Sequence, residues 1–353
     1  VHFIFAPGYR VLISKFWQPA IYAMLLYLNM GPGLVNHSST INITEYAGGV
    51  MAIDADFVRE DLAACYMMEA EKEVAFIEVG TNSSTPRLMQ VLKDRGWQPE
   101  DVRYVIVTHV HLDHAGGAGS LMRLLPNATL LAHPYGARHL IDPGKLEAGA
   151  RAVYGDAQFD STYGTLIPVP ESRTREMDDG SSVTLGSRTL SFMDTPGHAR
   201  HHFCVHDSLT NGYFSGDTFG LSYREFDTDQ GAFLFPTTTP IQFDPVALRA
   251  SVKRLMASEP DFMYLTHFGR VGELDKLAAD MLAGVDKLVE IAERHRNSPD
   301  RTQQLTDEIT DWLMQRLRAH GCTLPEERCL EILGLDVKLN VQGIEFWLGK
   351  QHE

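Results

Sequence analysis

The segment Thr108-His109-Val110-His111-Leu112-Asp113-His114 gathers three histidines and an aspartate into six consecutive positions. Imidazole nitrogen and carboxylate oxygen are the usual protein donors to a borderline dication such as zinc. Three more candidates follow along the chain: His198 in Thr195-Pro196-Gly197-His198, Asp217 in Ser215-Gly216-Asp217-Thr218, and His267 in Thr266-His267-Phe268-Gly269. Taken singly, each of these three reads as an ordinary structural histidine or turn aspartate. Together with the dense segment they read as a two-metal hydrolase site. Two cations would sharpen a water into hydroxide at neutral pH, polarise an acyl carbonyl and stabilise the oxyanion that develops. That chemistry needs no serine or cysteine nucleophile, and the sequence has no motif for one.

Such donors must be held by rigid elements, and the sequence supplies them. Short apolar runs precede every candidate: 102–108 before His109, 190–194 before His198, 213–215 before Asp217, and 262–266 before His267. Strand ends are suited to aiming several side chains at one rim. Val74 to Val79 reads as a further buried strand, closing on Gly80. Thr85 caps a helix with Pro86 at its first position, an apolar face of Leu88, Val91 and Leu92, and a stop at Gly96. Gly116 and Gly117 are expected to turn the chain tightly into a helix carrying Leu121, Leu124 and Leu125.

Residues 141–179 read as a helical insert over the site. From about Asp280 the spacing of Leu282, Val285, Leu288, Val289 and Ala292 predicts an amphipathic helix, and Leu305, Ile309, Trp312, Leu313 and Leu317 predict a second. Asn297-Ser298-Pro299-Asp300 separates the two. The tail, 337–350, reads as a strand and a short closing element. The division predicted is a 1–40 extension, a 41–296 catalytic domain and a 297–353 helical C-terminal extension.

The bulk numbers narrow the partners. With a formal net charge of -15 over 353 residues, the chain is a poor match for nucleic acid or for an anionic membrane surface. Its four cysteines are too few for a disulfide framework. Cys65 and Cys204 read as core residues, and Cys322 and Cys329 as two free thiols. In the first forty residues, Arg10 and Lys15 precede the apolar run Ala20 to Leu28, which is the layout of an export signal. Pro19 interrupts that run, no small-x-small cleavage site follows, and the run is too short to span a bilayer. The favoured reading is a dispensable extension on a cytoplasmic protein, with periplasmic export if the segment does act as a signal.

The ordered set His109, His111, Asp113, His114, His198, Asp217 and His267 resembles the metal ligands of the metallo-β-lactamase-fold superfamily. Within it, the set is most similar to glyoxalase II-like and lactonase-like hydrolases. The resemblance runs from about Ile41 to Arg296. It implies an α/β fold, an αββα sandwich of two mixed β-sheets flanked by helices, here with a helical C-terminal extension. It also implies two divalent ions, zinc first, with iron or manganese tolerated by the same donors. By position, His109, His111 and His198 would hold one ion, Asp113, His114 and His267 the other, and Asp217 would bridge them. Asp113 is the candidate catalytic proton relay. The implied reaction is hydrolysis of a small-molecule ester, thioester or lactone.

A β-lactamase is the weaker reading, since one branch of those enzymes places a cysteine in the second metal site, which Asp113 and His114 fill here. The alternative from another class is an iron-dependent persulfide dioxygenase or oxygen-handling protein. Members that reduce oxygen or nitric oxide usually carry Glu at the position of His111. One departure stands out: family members usually have Asp-x-Gly after the first long strand, and this chain has Glu78-Val79-Gly80. Lactonases often place a tyrosine shortly after the bridging aspartate, and Tyr223 is near that spacing without matching it. Residues 219–227 and 235–240 are expected to line the pocket. His133, His139, His201 and His202 are read as structural, with His202 a candidate support for the ligands. The Trp312 helix and Phe346-Trp347-Leu348 are either a homodimer surface or core.

Overall fold

Alternation along the strands builds two sheets that share one apolar layer. The computed structural model describes residues 41–238 and 241–351. The apolar run Ala20 to Leu28, and Thr239 and Pro240 of the expected pocket wall, lie outside the described residues. The first sheet runs in chain order: β1 (Ile43–Tyr46), β2 (Val50–Asp54), β3 (Ala64–Ala70), β4 (Glu73–Ile77), β5 (Val102–Ile106), β6 (Thr129–Ala132) and β7 (Thr174–Glu176). Its first four strands pair antiparallel and the last four parallel. The second sheet holds β8 (Ser182–Leu185), β9 (Arg188–Asp194), β10 (Phe203–Asp207), β11 (Gly212–Gly216), β12 (Phe262–Leu265) and β13 (Gly269–Val271), and only β11 and β12 pair parallel.

Because successive residues of a strand face opposite ways, each sheet buries both faces. Ala52, Tyr66, Met68, Ala75, Ile77 and Ile106 of the first sheet meet Leu190, Phe192, Phe203, Val205 and Phe214 of the second. Their neighbours Met51, Ile53, Cys65, Met67, Phe76 and Val105 face the other way, onto helices. These include α1 (Thr85–Asp94), which begins with Pro at its first turn as expected, α2 (Leu112–Ala115) and α3 (Ala118–Leu124). The result is the predicted αββα sandwich.

The region 141–179 contributes α4 (Pro134–Ile141), whose end it shares, then α5 (Gly144–Tyr154) and α6 (Asp156–Thr162), before the chain returns to the sheet as β7. On the far side of the second sheet, α7 (Pro245–Met256) and α8 (Leu274–His295) cover Cys204, Tyr213, Met263 and Leu265. The α8 helix begins six residues earlier than its periodic stretch suggested. After it come α9 (Arg301–Ala319) and α10 (Glu326–Lys350).

The tail is therefore helical, which corrects the expected strand. Ile332, Leu333, Val337, Val341, Ile344 and Leu348 recur at three- and four-residue spacing and join the same core as Leu88 and Phe76. From Ile41 onward the chain is one structural unit. Trp312 and Trp347 pack against the core, while Phe346 stands 41% exposed. All four cysteines are free and buried. Among the described residues, no helix is long and apolar enough to cross a membrane.

Candidate metal centre

Every sequence-predicted ligand follows the C-terminal end of a strand, and the two sheets bring these ends to one rim. His109, His111, Asp113 and His114 follow β5, His198 follows β9, Asp217 follows β11, and His267 follows β12. The loops fit only with small residues in the right places. Gly116 and Gly117 have ordinary right-handed helical angles, so they do not supply the tight turn expected of them. What they supply is clearance: a Cβ on Gly117 would come within 2.5 Å of the Thr81 carbonyl. Gly216, at φ +47, is both left-handed and crowded, since a Cβ there would meet His202 Nε2 and Thr108 Oγ1 at 2.5 Å. That glycine sets the direction of Asp217.

The seven side chains form two donor groups that meet at Asp217. In the first, His111 Nδ1 lies 2.8 Å from His109 Nε2 and 3.1 Å from His198 Nε2, and His198 Nε2 lies 3.3 Å from Asp217 Oδ2. In the second, His114 Nε2 lies 3.4 Å from Asp217 Oδ1 and 3.6 Å from Asp113 Oδ2. His267 Nε2 completes it, 3.4 Å from Asp113 Oδ2 and 3.6 Å from Asp217 Oδ1. Each group is compact enough for its donor atoms to share one ion.

The opposite edges of these rings are occupied, which fixes which nitrogen faces inward. His109 Nδ1 pairs with Thr108 Oγ1 at 3.0 Å, and His267 Nδ1 donates to the Leu62 carbonyl at 2.8 Å. His114 Nδ1 donates to Glu78 Oε1 at 3.0 Å. The longer glutamate arm therefore reaches His114 despite its departure from the family pattern. Glu78 is also close to His109 and His114 as a possible third donor group. Its oxygens, however, are taken up by Thr108 N at 3.2 Å, by Thr108 Oγ1 and by Thr266 Oγ1 at 3.3 Å, on the side of His114 away from Asp217. It orients His114 and leaves the inward face of that ring to the other donors.

Two atoms at the meeting point, His114 Nε2 and Asp217 Oδ1, are buried with no hydrogen-bond partner. Buried polar atoms left in this state mark a place where a further group belongs. The electrostatics agree. Burial, reinforced by neighbouring imidazoles, pushes His109 and His111 well below the usual histidine range, so both are neutral, as ligation requires. At His114 burial is outweighed by Asp217, Asp113 and Glu78, which raise it, and at Asp217 burial is outweighed by His114, His198 and His267, which lower it. Carboxylates that hold imidazoles protonated in this way satisfy the same demand as a dication would.

Of the four histidines read as structural, His133, His201 and His202 have hydrogen-bond partners. His202 Nε2 accepts the Asp217 backbone N–H at 3.3 Å and its Nδ1 pairs with Thr195 Oγ1 at 2.9 Å, so it steadies the shared aspartate. His133 caps α4 by accepting from Tyr135 N, and bonds Asp194. His139 lies within that helix. His201 lies parallel to His109 with ring centroids 6.2 Å apart.

Tyr223 is buried, with its hydroxyl 3.1 Å from both oxygens of Asp336 on α10. Asp336 was not legible in the sequence, because a single acid far along the chain carries no local sign of its partner. Arg59, which stacks 4.4 Å over the Tyr223 ring, was missed for the same reason.

An αββα sandwich with histidine and aspartate donors gathered at one rim defines a metal-binding hydrolase. The chain belongs to the metallo-β-lactamase superfamily, whose family model matches residues 58–267, more than half of its length. It is 26% identical over 214 residues to a metallo-β-lactamase fold-containing protein of Sulfurisphaera tokodaii, spanning 60% of this chain and 74% of that one. The crystal structure of that archaeal protein superposes with a TM-score of 0.59 at 22% identity, covering 85% of this chain and 99% of the other. An N-acyl homoserine lactonase from a Bacillus species is 24% identical over 202 residues, half of this chain and 67% of the lactonase. A human acyl-coenzyme A thioesterase is 29% identical over 141 residues, 36% of this chain and 46% of the thioesterase.

Proposed function

We propose that this protein is a dinuclear metal-dependent hydrolase that cleaves an ester, thioester or lactone. The observation that carries this reading is the sharing of Asp217: one oxygen faces His198 in the first donor group, and the other faces His114 and His267 in the second. A carboxylate placed in this way can bridge two dications a few Å apart. The all-imidazole-and-carboxylate set favours zinc, and iron or manganese would fit the same donors. When bound, such ions supply a deprotonated water at neutral pH and polarise a substrate carbonyl.

The protein's own residues divide the remaining work. His109, His111 and His198 are neutral donors, and outer hydrogen bonds hold His109 through the Thr108 hydroxyl and His198 through the Thr237 backbone. Asp113 is the more open of the two acids, with a side chain 23% exposed against 4% for Asp217. Its carboxylate is the group placed to take a proton and return it to the leaving group. A covalent thiol route is disfavoured, because burial pushes Cys204 up to about 12 and Cys65 well above the usual thiol range. The likeness to a lactonase and a thioesterase supports an activated acyl substrate.

A panel of thioesters, lactones and β-lactams, assayed with wild type and His111→Ala, tests this. Turnover of at least one activated acyl substrate, lost by 100-fold or more in the variant, is expected. Equal behaviour of the two proteins on every substrate would overturn the assignment.

A further inference from the structure

The C-terminal helix packs three positions of one face against the segments that carry the donors. Asp336, Asn340 and Gly343 follow one another at four- and three-residue spacing, so they lie above one another on α10. All three are buried. Asp336 accepts the Tyr223 hydroxyl. Asn340 Oδ1 accepts from Thr238 N at 2.8 Å, and Asn340 Nδ2 donates to the Pro236 carbonyl at 3.3 Å. Gly343 leaves no room for a side chain, since a Cβ there would overlap the Thr238 carbonyl. A helix serving only as an apolar cover would place none of these polar groups inward.

Each polar residue leads to a different donor group. Next to Tyr223, Ser222 N donates to the His267 carbonyl at 2.5 Å, and Phe268 N donates to the Ser222 carbonyl at 3.2 Å. The His267 ring is held from its other side by Leu62, whose loop sends Arg59 over the Tyr223 ring and onto Glu225 at 2.8 Å. The contacts close into a ring, Tyr223, Ser222, His267, Leu62, Arg59 and back to Tyr223, and Asp336 is bonded to that ring at Tyr223. Next to Thr238, the backbone of Thr237 hydrogen-bonds His198, a member of the first donor group.

We propose that α10 positions the two halves of the metal centre separately, Asp336 through Tyr223 holding the His267 half and Asn340 through the 236–238 segment holding the His198 half. This rests on the dinuclear reading above. Both are positioning residues, since neither touches the donor atoms. Burial pushes the Asp336 carboxyl up to about 7, and what the Tyr223 hydroxyl needs from it is an acceptor oxygen. Asn, which has one acceptor oxygen, is therefore a fair replacement for it.

The test is metal content rather than turnover. Wild type, Asp336→Ala, Asp336→Asn, Tyr223→Phe and Asn340→Ala are equilibrated in a zinc buffer and weighed for zinc by mass spectrometry. Crystals of each then locate the remaining ion by anomalous scattering. Wild type should hold two ions per chain. Asp336→Ala and Tyr223→Phe should hold about one, on the His109 side. Asp336→Asn should stay near two, and Asn340→Ala should lose the ion of the His109 side first. If both alanine variants keep two ions, or lose the same one, the separate roles are wrong while the dinuclear reading stands. If Asp336→Ala fails to fold, Tyr223→Phe with two ions at wild-type affinity gives the same refutation. A wild type that never holds two ions overturns the dinuclear reading, and the proposal with it.

Discussion

Glu78 offers the sharpest test of how the centre is held. It is 1% exposed and sits at the end of β4 with a left-handed backbone, φ +59. Its carboxylate serves the Thr108 N–H, the His114 ring N–H and two threonine hydroxyls. In Glu78→Ala the hydroxyls can rotate to other acceptors, but the amide and imidazole donors are fixed in direction. A buried donor left unsatisfied costs about 1–3 kcal/mol, so the pair costs about 2–6 kcal/mol. Since whole domains are stable by about 5–15 kcal/mol, that is a large fraction. The backbone adds nothing, because Ala and Glu carry the same Cβ at that positive φ.

Glu78→Gln keeps the shape but turns an amide NH2 toward a donor, so about 1–3 kcal/mol is expected from it. Loss of the acceptor behind a ligating histidine also weakens metal by about 10–100-fold. Guanidinium unfolding of metal-free protein measures the first effect, and competition with a chromophoric chelator measures the second. If Glu78→Gln matches wild type in both assays, the carboxylate does not hold His114, and the account of that side of the centre fails.

Three further outcomes follow from the same geometry. Asp217→Asn should cut metal affinity by at least about 100-fold with little change in far-ultraviolet circular dichroism, because it removes the charge that both donor groups share; unchanged zinc retention would contradict the bridge. Gly216→Ala should destabilise the protein by more than about 1 kcal/mol, since its Cβ meets His202 and Thr108 at a left-handed position; a thermal midpoint equal to wild type would refute this. Asp54 is buried, and burial raises its carboxyl from 3.8 to about 6 despite Arg87. The folded state thus binds more protons than the unfolded state between those values, and stability falls as pH rises from about 4 to about 6. Asp54→Asn has no such group, so its stability relative to wild type should rise across that window, by up to about 3 kcal/mol; a gap that does not change with pH would refute the reasoning.

The donor set was legible because histidines and acids at strand ends are sparse, and the strands ahead of them are strongly apolar. The αββα sandwich came from the resemblance those donors carry, since apolar strands alone do not fix how sheets pair. The tail was not. Val337, Val341, Ile344, Phe346 and Trp347 have the side chains of a strand, and the helical spacing is broken at Asp336 and Asn340. Those two polar residues face inward because Tyr223 and Thr238 receive them. A residue committed to a distant partner looks, in sequence, like an error in the apolar pattern. Gly116 and Gly117 misled in a similar way: their need is clearance from a carbonyl of another segment, which local conformational reasoning does not see. Tyr223 stood close to a spacing of interest, but only the fold shows that its hydroxyl is spent on α10.

The central claim is that seven side chains enclose two cations with Asp217 between them. Crystals of zinc-loaded wild type, measured on both sides of the zinc absorption edge, test it directly. The account predicts two anomalous peaks about 3.5–4 Å apart, one against His109, His111 and His198, the other against Asp113, His114 and His267, with Asp217 touching both. A single peak, or peaks lying away from these residues, would contradict it.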